Sequence, residues 1–136
     1  MPTTDAPTPF AALHVDDAAE VRAPDGSVVR VLVRTDGGSM ARFSLPGFGV
    51  SHAVVHRTVA ELWYIVAGIG EMWLRAGDRE SIVALVPGTS IAIPVGTAFQ
   101  FRSRSADTLQ AVGVTIPPWP GEQEAVVAEG PWQATI

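Results

Sequence analysis

Short runs of apolar and β-branched residues, separated by turn residues, make up most of the chain. The clearest runs are VVRVLVR, ARFSL, ELWYIVA, SIVAL and AFQFRSR, and between the runs lie PDG, GIG, AGD and VPG. About nine or ten such strands, roughly 8–12 residues apart, are typical of an antiparallel sandwich or a small barrel. The pattern therefore predicts an all-β protein, with one short helix expected around residues 122–128.

The length and the distribution of apolar residues predict a single domain. A chain of 136 residues is long enough to bury a core of its own. We expect a flexible N-terminal arm over residues 1–12, a β-barrel domain over 13–118, and a tail over 119–136 that packs on the barrel or on a partner subunit. No run approaches the roughly 20 apolar residues that span a bilayer. The first residues, MPTTDAPTPF, lack a basic region followed by an apolar one, so we do not expect them to act as a signal peptide. We therefore expect a cytoplasmic protein that does not contact a membrane.

The composition excludes several classes of chemistry. The net charge of −5 argues against nucleic-acid binding, which needs a basic face. Cysteine is absent, so the chain has no disulfide, thiol nucleophile or thiolate ligand. Every basic residue is an arginine, which excludes lysine Schiff bases and lysine-linked pyridoxal phosphate.

One histidine and one glutamate interrupt the apolar stretch VVHRTVAELWYIVAG. Because side chains alternate along a strand, Glu61 shares a face with Trp63 and Ile65. Arg57 is expected to face outward, so His56 should face inward. We expect the two strands that flank Thr58–Ala60 to be neighbours, which would let the imidazole and the carboxyl group meet inside the barrel.

The strand ELWYIVA is apolar on its second face as well, which carries Leu62, Tyr64 and Val66. A strand of this kind is typically covered on both sides, here by the core and by another sheet or subunit. Together with a hydrophobic content of 47%, this pattern predicts a homodimer.

At this point the sequence resembles the first motif of the cupin superfamily, in its small single-domain form. That motif is Gly, five residues, His-x-His, three or four residues, Glu, six residues, Gly. His56, Glu61 and Gly68 match the second histidine, the glutamate and the final glycine. Val54 takes the position of the first histidine, and Phe48 that of the leading glycine.

A second stretch resembles the other cupin motif, which is Gly, five residues, Pro-x-Gly, two residues, His, three residues, Asn. Gly88, Pro94 and Gly96 match it, whereas Phe99 and Ser103 replace the histidine and the asparagine. Glycines and prolines at fixed offsets in two separate stretches seldom arise by chance. The resemblance implies a double-stranded β-helix, that is, a jelly-roll barrel of two sheets.

The departures from the motifs imply a degenerate metal site. A typical metal-binding cupin holds zinc, iron, manganese or nickel with three histidines and one glutamate. This chain keeps only His56 and Glu61, which would be the two protein ligands if an ion were bound. His52 lies on the same face as His56, but roughly 13 Å away along an extended strand, and His14 could reach the site only from a strand that folds back. We therefore favour a protein without a cofactor, with a divalent metal as the alternative.

Without a metal, the barrel would present an apolar wall to a small-molecule ligand. The residues predicted to contact that ligand are Val54, Trp63, Phe99 and Phe101. Burial would favour the neutral form of Glu61, whereas pairing with His56 would favour the charged form. The pair could transfer protons on a ligand, or it could be an inert link between two strands.

Two functions follow from these alternatives. The first is a module that binds a small organic molecule in the barrel and carries out no reaction. The second is a cupin enzyme of isomerase, lyase or oxygenase type, with His56 and Glu61 as catalytic groups. The fold alone does not choose between them, because one fold hosts many activities.

Overall fold

The computed structural model of the protein describes residues 9–136. Two antiparallel sheets face each other across a common core, which confirms the predicted jelly-roll architecture. Within this range, the strands are β1 Ala19–Arg22, β2 Val28–Arg34, β3 Ser39–Leu45, β4 Val54–His56, β5 Ala60–Ala67, β6 Gly70–Ala76, β7 Arg79–Leu85, β8 Ser90–Ile93, β9 Ala98–Ser103, β10 Leu109–Ile116 and β11 Ala125–Val127. Short 3₁₀ turns occur at Val15–Asp17 and Glu122–Glu124.

The chain passes repeatedly from one sheet to the other. The larger sheet has the order β1-β2-β3-β10-β5-β8, and the smaller has the order β11-β4-β9-β6-β7. Strands β4 and β5 therefore lie in opposite sheets. Our expectation that these two strands are lateral neighbours was wrong, because the loop between them crosses from one wall of the barrel to the other.

Alternation along β5 places one face in the core. Glu61, Trp63 and Ile65 are buried, and the residues between them are exposed. The Trp63 ring stacks on Phe43 of β3, with 5.0 Å between ring centroids. The core also contains Leu45, Met72, Leu85, Ile93, Phe99, Phe101 and Leu109.

The helix predicted around residues 122–128 was wrong. Only Glu122–Glu124 form a 3₁₀ turn, and the chain then continues as β11. Ala125 of β11 pairs with His56, and Val127 pairs with Val54. The reason is tertiary, because β4 would otherwise be an edge strand with unpaired backbone groups. The β-branched Val126 and Val127 also suit a strand better than a helix.

The side chain of Gln100 fixes the last part of the chain to the smaller sheet. Its amide nitrogen donates to the carbonyl oxygens of Ser51 and Trp132, each at 2.8 Å. Its amide oxygen accepts from the Trp132 backbone N–H at 3.2 Å. Thr135 adds a hydrogen bond from its backbone N–H to the Val50 carbonyl oxygen at 2.9 Å.

Of the predicted N-terminal arm, residues 1–8 lie outside the described part, and residues 9–12 are exposed and form no strand. Among residues 9–136, no helix is long and apolar enough to cross a membrane.

Within residues 9–136, no second sheet covers the other face of β5, which leaves a partner subunit as the cover that we expected. Leu62, Tyr64 and Val66 are 49%, 52% and 39% exposed. Val114 pairs laterally with Leu62 and with the exposed Met40, so the apolar surface continues across β10 and β3. We propose that a second copy of the chain packs on this face, since water-exposed apolar area of this kind is typical of subunit contacts.

Light scattering at micromolar concentration is expected to give the mass of a dimer. A Tyr64→Arg change would place a charge in the centre of the contact, so we expect it to shift the mass toward the monomer. Ile82→Arg is the matched control, because Ile82 is equally exposed but lies on the other sheet. A monomeric wild-type protein would contradict the proposal.

Candidate functional site

A cavity of about 330 Å³ opens between the two sheets. On the larger sheet, Gly113 and Ala41 form part of its lining, where larger side chains would fill it. A Cβ atom at Gly113 would meet the Phe43 ring at 2.6 Å and Glu61 Oε2 at 3.0 Å. The glycine therefore makes room for the Glu61 carboxyl group beside the Phe43 ring.

His56 and Glu61 meet at this cavity from opposite sheets. His56 is the last residue of β4, and Glu61 is the second residue of β5. The two side chains are almost fully buried, and His56 Nδ1 lies 3.7 Å from Glu61 Oε1. That separation is too long for a hydrogen bond, and His56 Nδ1 has no other partner within residues 9–136. The pair is adjacent but not bonded to each other.

Burial sets the protonation states of the pair. It raises the pKa of Glu61 to about 8, and the negative charge of Asp25 acts in the same direction. The Trp63 indole N–H opposes this rise in pKa, although it forms no hydrogen bond of normal geometry. Burial lowers the pKa of His56, partly offset by the charge of Glu124. At neutral pH both groups are therefore uncharged, so the carboxyl group can donate a proton and the imidazole can accept one.

The carboxylate of Glu124 holds the loop that joins the two site residues. It accepts hydrogen bonds from the Thr58 backbone N–H at 2.6 Å, from the Val59 N–H at 3.0 Å, and from the Thr58 hydroxyl group. Thr58 and Val59 lie between His56 and Glu61 in the sequence. Glu124, which comes much later in the chain, thereby fixes the spacing of the pair.

The predicted aromatic wall lies mostly behind the cavity. Val54 lines the cavity and pairs laterally with Phe99. Phe99 contacts the edge of the His56 ring with centroids 5.2 Å apart, and Trp63 contacts Phe101 at 4.9 Å. The rings of Phe99, Phe101 and Trp63 pack in the core next to the site, and only Val54 of this group borders the open space. Contact of the three rings with a ligand stays a prediction.

Of the residues that line the cavity, sequence reasoning had named Val54, His56 and Glu61, and it missed the others, among them Trp119 and Asp25. The Trp119 ring lies 5.2 Å from the His56 ring, and the Trp119 backbone N–H donates to Ser39 Oγ at 2.9 Å. Trp119 is the first residue of the tail that we expected to pack on the barrel or on a partner subunit, and that expectation did not place its ring beside His56. Asp25 also lines the cavity. It stands in the turn PDG, and nothing in that pattern distinguishes a buried turn aspartate from an exposed one.

The donors present do not fit the metal site of a typical cupin. Val54 and Phe99 offer no coordinating atom at two of the four positions. His52 and His14 are exposed at the surface, and His14 Nδ1 lies 3.5 Å from Asp16. Across residues 9–136, no group of three or more His, Cys, Asp or Glu side chains could hold an ion. An ion beside His56 and Glu61 would have only these two protein ligands.

Solved structures share this architecture over most of the chain. Pac13 from Streptomyces, in a variant with uridine, matches with a TM-score of 0.70 and 16% identity over 90% of this chain and 92% of its own. KdgF from Halomonas matches with a TM-score of 0.70 and 14% identity over 82% and 97%. Oxalate decarboxylase from Bacillus subtilis matches with a TM-score of 0.72 and 14% identity over 89% of this chain and 33% of its own.

The chain has the cupin fold. The architecture implied by the resemblance of the two sequence motifs to the cupin superfamily is thus confirmed. Identities this low establish the fold alone. No protein-family model and no curated protein matches the sequence.

Replacing Glu61 with Gln is expected to change how stability depends on pH. The folded-state pKa of Glu61, about 8, lies above its ordinary value, so the folded protein binds more protons than the unfolded chain. Stability should therefore fall as pH rises from about 4.5 to about 8, by roughly 1 kcal/mol per pH unit. Glu61→Gln should flatten this part of the curve in urea unfolding measured at several pH values. Parallel curves for the two proteins would contradict the assignment.

A Glu124→Gln variant tests the anchor of the loop. The hydrogen bonds from Thr58 and Val59 outweigh burial and lower the pKa of Glu124. Its contribution to stability should be present above the ordinary glutamate pKa and be lost as pH falls through the lowered folded-state value. We expect a loss of about 1–2 kcal/mol at neutral pH that shrinks in acid. Glu129→Gln, at an exposed position nearby, is the control and should leave unfolding unchanged.

Proposed function

We propose that the protein is an enzyme of the lyase or isomerase class that moves protons on a small organic molecule inside the barrel. One observation carries the proposal: a neutral carboxyl group lies beside an imidazole whose Nδ1 has no partner among residues 9–136, and both side chains are almost fully buried at the border of a cavity. Glu61 is assigned as the general acid and His56 as the general base. Positioned groups of this kind typically accelerate reactions by about 10²–10⁴-fold.

Elimination of water from a β-hydroxy carbonyl compound illustrates the chemistry. His56 Nδ1 removes a proton from the carbon next to the carbonyl group, and the C–H electron pair forms the new C=C bond. The C–O bond breaks as Glu61 transfers its proton to the departing hydroxyl group, which leaves as water. The proton on His56 then passes to the Glu61 carboxylate, which restores both groups. In an isomerisation, Glu61 would protonate another atom of the same molecule instead.

The geometry favours this function over an inert link between strands. A structural pair should be hydrogen-bonded, because a buried nitrogen without a partner costs about 1–3 kcal/mol. His56 Nδ1 lacks a partner among the described residues, and Glu61 Oε1 is too distant to supply one. A ligand in the cavity would satisfy both groups. A metal-dependent oxygenase is less well supported, because only His56 and Glu61 offer donors among the four ligand positions of a typical cupin.

The neighbouring structures support an acid–base function only indirectly. Pac13 is described as a nucleoside dehydratase, so this fold can host the removal of water from a small molecule. A module that only binds its ligand is the second candidate, since His56 Nδ1 can also accept a hydrogen bond from a ligand that does not react.

The aldol adduct of benzaldehyde and acetone is a suitable test compound, because its dehydration gives benzylideneacetone, which absorbs in the near ultraviolet. We expect the absorbance to rise faster with the protein than in buffer. The rate should fall about 100-fold or more in Glu61→Gln and in His56→Gln, and it should be unchanged in the Glu129→Gln control. The rate should decline above pH 8 as Glu61 ionises, and at acidic pH as His56 gains a proton.

A second measurement tests proton removal by His56 separately from the loss of water. Proton exchange next to the carbonyl group of benzylacetone in heavy water, followed by proton NMR, requires no leaving group. Ligands that bind in the cavity with neither exchange nor dehydration would favour the binding module over the enzyme.

A further inference from the structure

A second buried carboxyl group borders the same cavity, away from the pair described above. Asp25 lies in the turn between β1 and β2, and its residue surface is only 5% exposed. The turn folds inward onto the chain before β4, where the His52 backbone N–H donates to the Asp25 carbonyl oxygen at 2.8 Å. Burial raises the pKa of Asp25 against the opposing effects of the Ser27 hydrogen bonds and the charge of His52, and the charge of Asp25 in turn raises the pKa of Glu61. The two carboxyl groups therefore face a common space.

Only one oxygen of this carboxyl group has a partner. Oδ1 accepts hydrogen bonds from the Ser27 backbone N–H at 2.9 Å and from the Ser27 hydroxyl at 2.6 Å. Within residues 9–136, no hydrogen bond reaches Oδ2. Asparagine would hold the turn through the same Oδ1 without burying an ionisable group. The turn therefore explains Oδ1, whereas Oδ2 has no hydrogen-bond partner among these residues and is not one of the fully enclosed unpaired atoms, so it is accessible to a ligand.

The sheet register places Asp25 at the other end of the cavity from Glu61. Glu61 pairs with Thr115, which pairs with Ser39, which pairs with Arg34 at the end of β2. Asp25 instead precedes the first residue of β2, Val28. A molecule that reaches from Glu61 to Asp25 is thus elongated, and it would pass the apolar side chains of Val29, Val31 and Val54.

We propose that Asp25 Oδ2 binds a hydrogen-bond donor, such as a hydroxyl group, at the end of the ligand remote from the reacting carbonyl group. The ligand class is an elongated molecule with an apolar middle, a carbonyl group at one end and a donor at the other. Asp25 is a specificity residue, and it takes no part in proton transfer. The inference rests on the proposed function only in assigning the carbonyl group to the Glu61 end.

Three matched probes test the assignment: benzylacetone, its para-hydroxy derivative and its para-methoxy derivative. Only the hydroxy compound can donate a hydrogen bond at the far end, and the methoxy compound fills the same space. Isothermal titration should show about tenfold tighter binding of the hydroxy compound than of the other two. Asp25→Asn keeps the Oδ1 contact with Ser27 and replaces Oδ2 by an NH₂ donor, so the tenfold preference should disappear. Asp78→Asn, in the exposed turn between β6 and β7, is the control and should retain it.

The outcomes separate this inference from the proposed function. Equal affinity for the hydroxy and methoxy compounds in the wild-type protein, or an unchanged preference in Asp25→Asn, would overturn the role of Asp25 even if the protein catalyses proton exchange. An Asp25-dependent preference without any proton exchange would support the role of Asp25 and contradict the enzyme. Failure of all three probes to bind at millimolar concentration would count against the site as described. Circular dichroism of Asp25→Asn should match the wild type, which excludes loss of folding as the cause.

Discussion

The burial of the Glu61 carboxyl group without a charged partner is the constraint on which the site depends. A charged carboxylate in such surroundings would cost several kcal/mol, so the group remains protonated at neutral pH. The barrel maintains this state by surrounding the carboxyl group with hydrocarbon and by keeping His56 near but unbonded. Gly113 leaves the space that the carboxyl group occupies. The positions where a typical cupin would have further histidines carry Val54 and Phe99, which offer no donor and keep the surroundings apolar.

Much of the fold could be predicted from the sequence because strand alternation and turn residues are local properties. The pleat of β5 requires Glu61, Trp63 and Ile65 to share one face, whatever the rest of the chain does. The meeting of His56 with Glu61 was predicted for a reason that was partly wrong. Each side chain does point inward, but they meet across the barrel rather than along one sheet. The inward direction of each side chain follows from alternation along its own strand. The sheet to which a strand belongs depends instead on pairing with strands that are distant in sequence.

The rest of the site could not be predicted, because it is assembled by contacts between distant segments. Asp25 belongs to an ordinary turn until that turn folds against the chain before β4. Glu124 stands in a segment whose local pattern favoured a helix, and its role follows only from the loop that it contacts. Trp119 reaches His56 from beyond the last strand of the larger sheet. No spacing rule links these residues, since their separations in sequence reflect the topology of the barrel.

The pairing of β11 with β4 has a consequence for how the protein acquires its site. The N-terminal part of a chain leaves the ribosome first, so His56 and Glu61 emerge before the segment that contains Glu124 and β11. Contacts between residues so far apart form slowly, because a long loop must close first. The fully buried residues of the main core all lie before this segment, so we expect the core to form first and Glu124 to set the spacing between imidazole and carboxyl group when it docks. We therefore expect the site to acquire its final geometry late in folding, after the barrel core has formed.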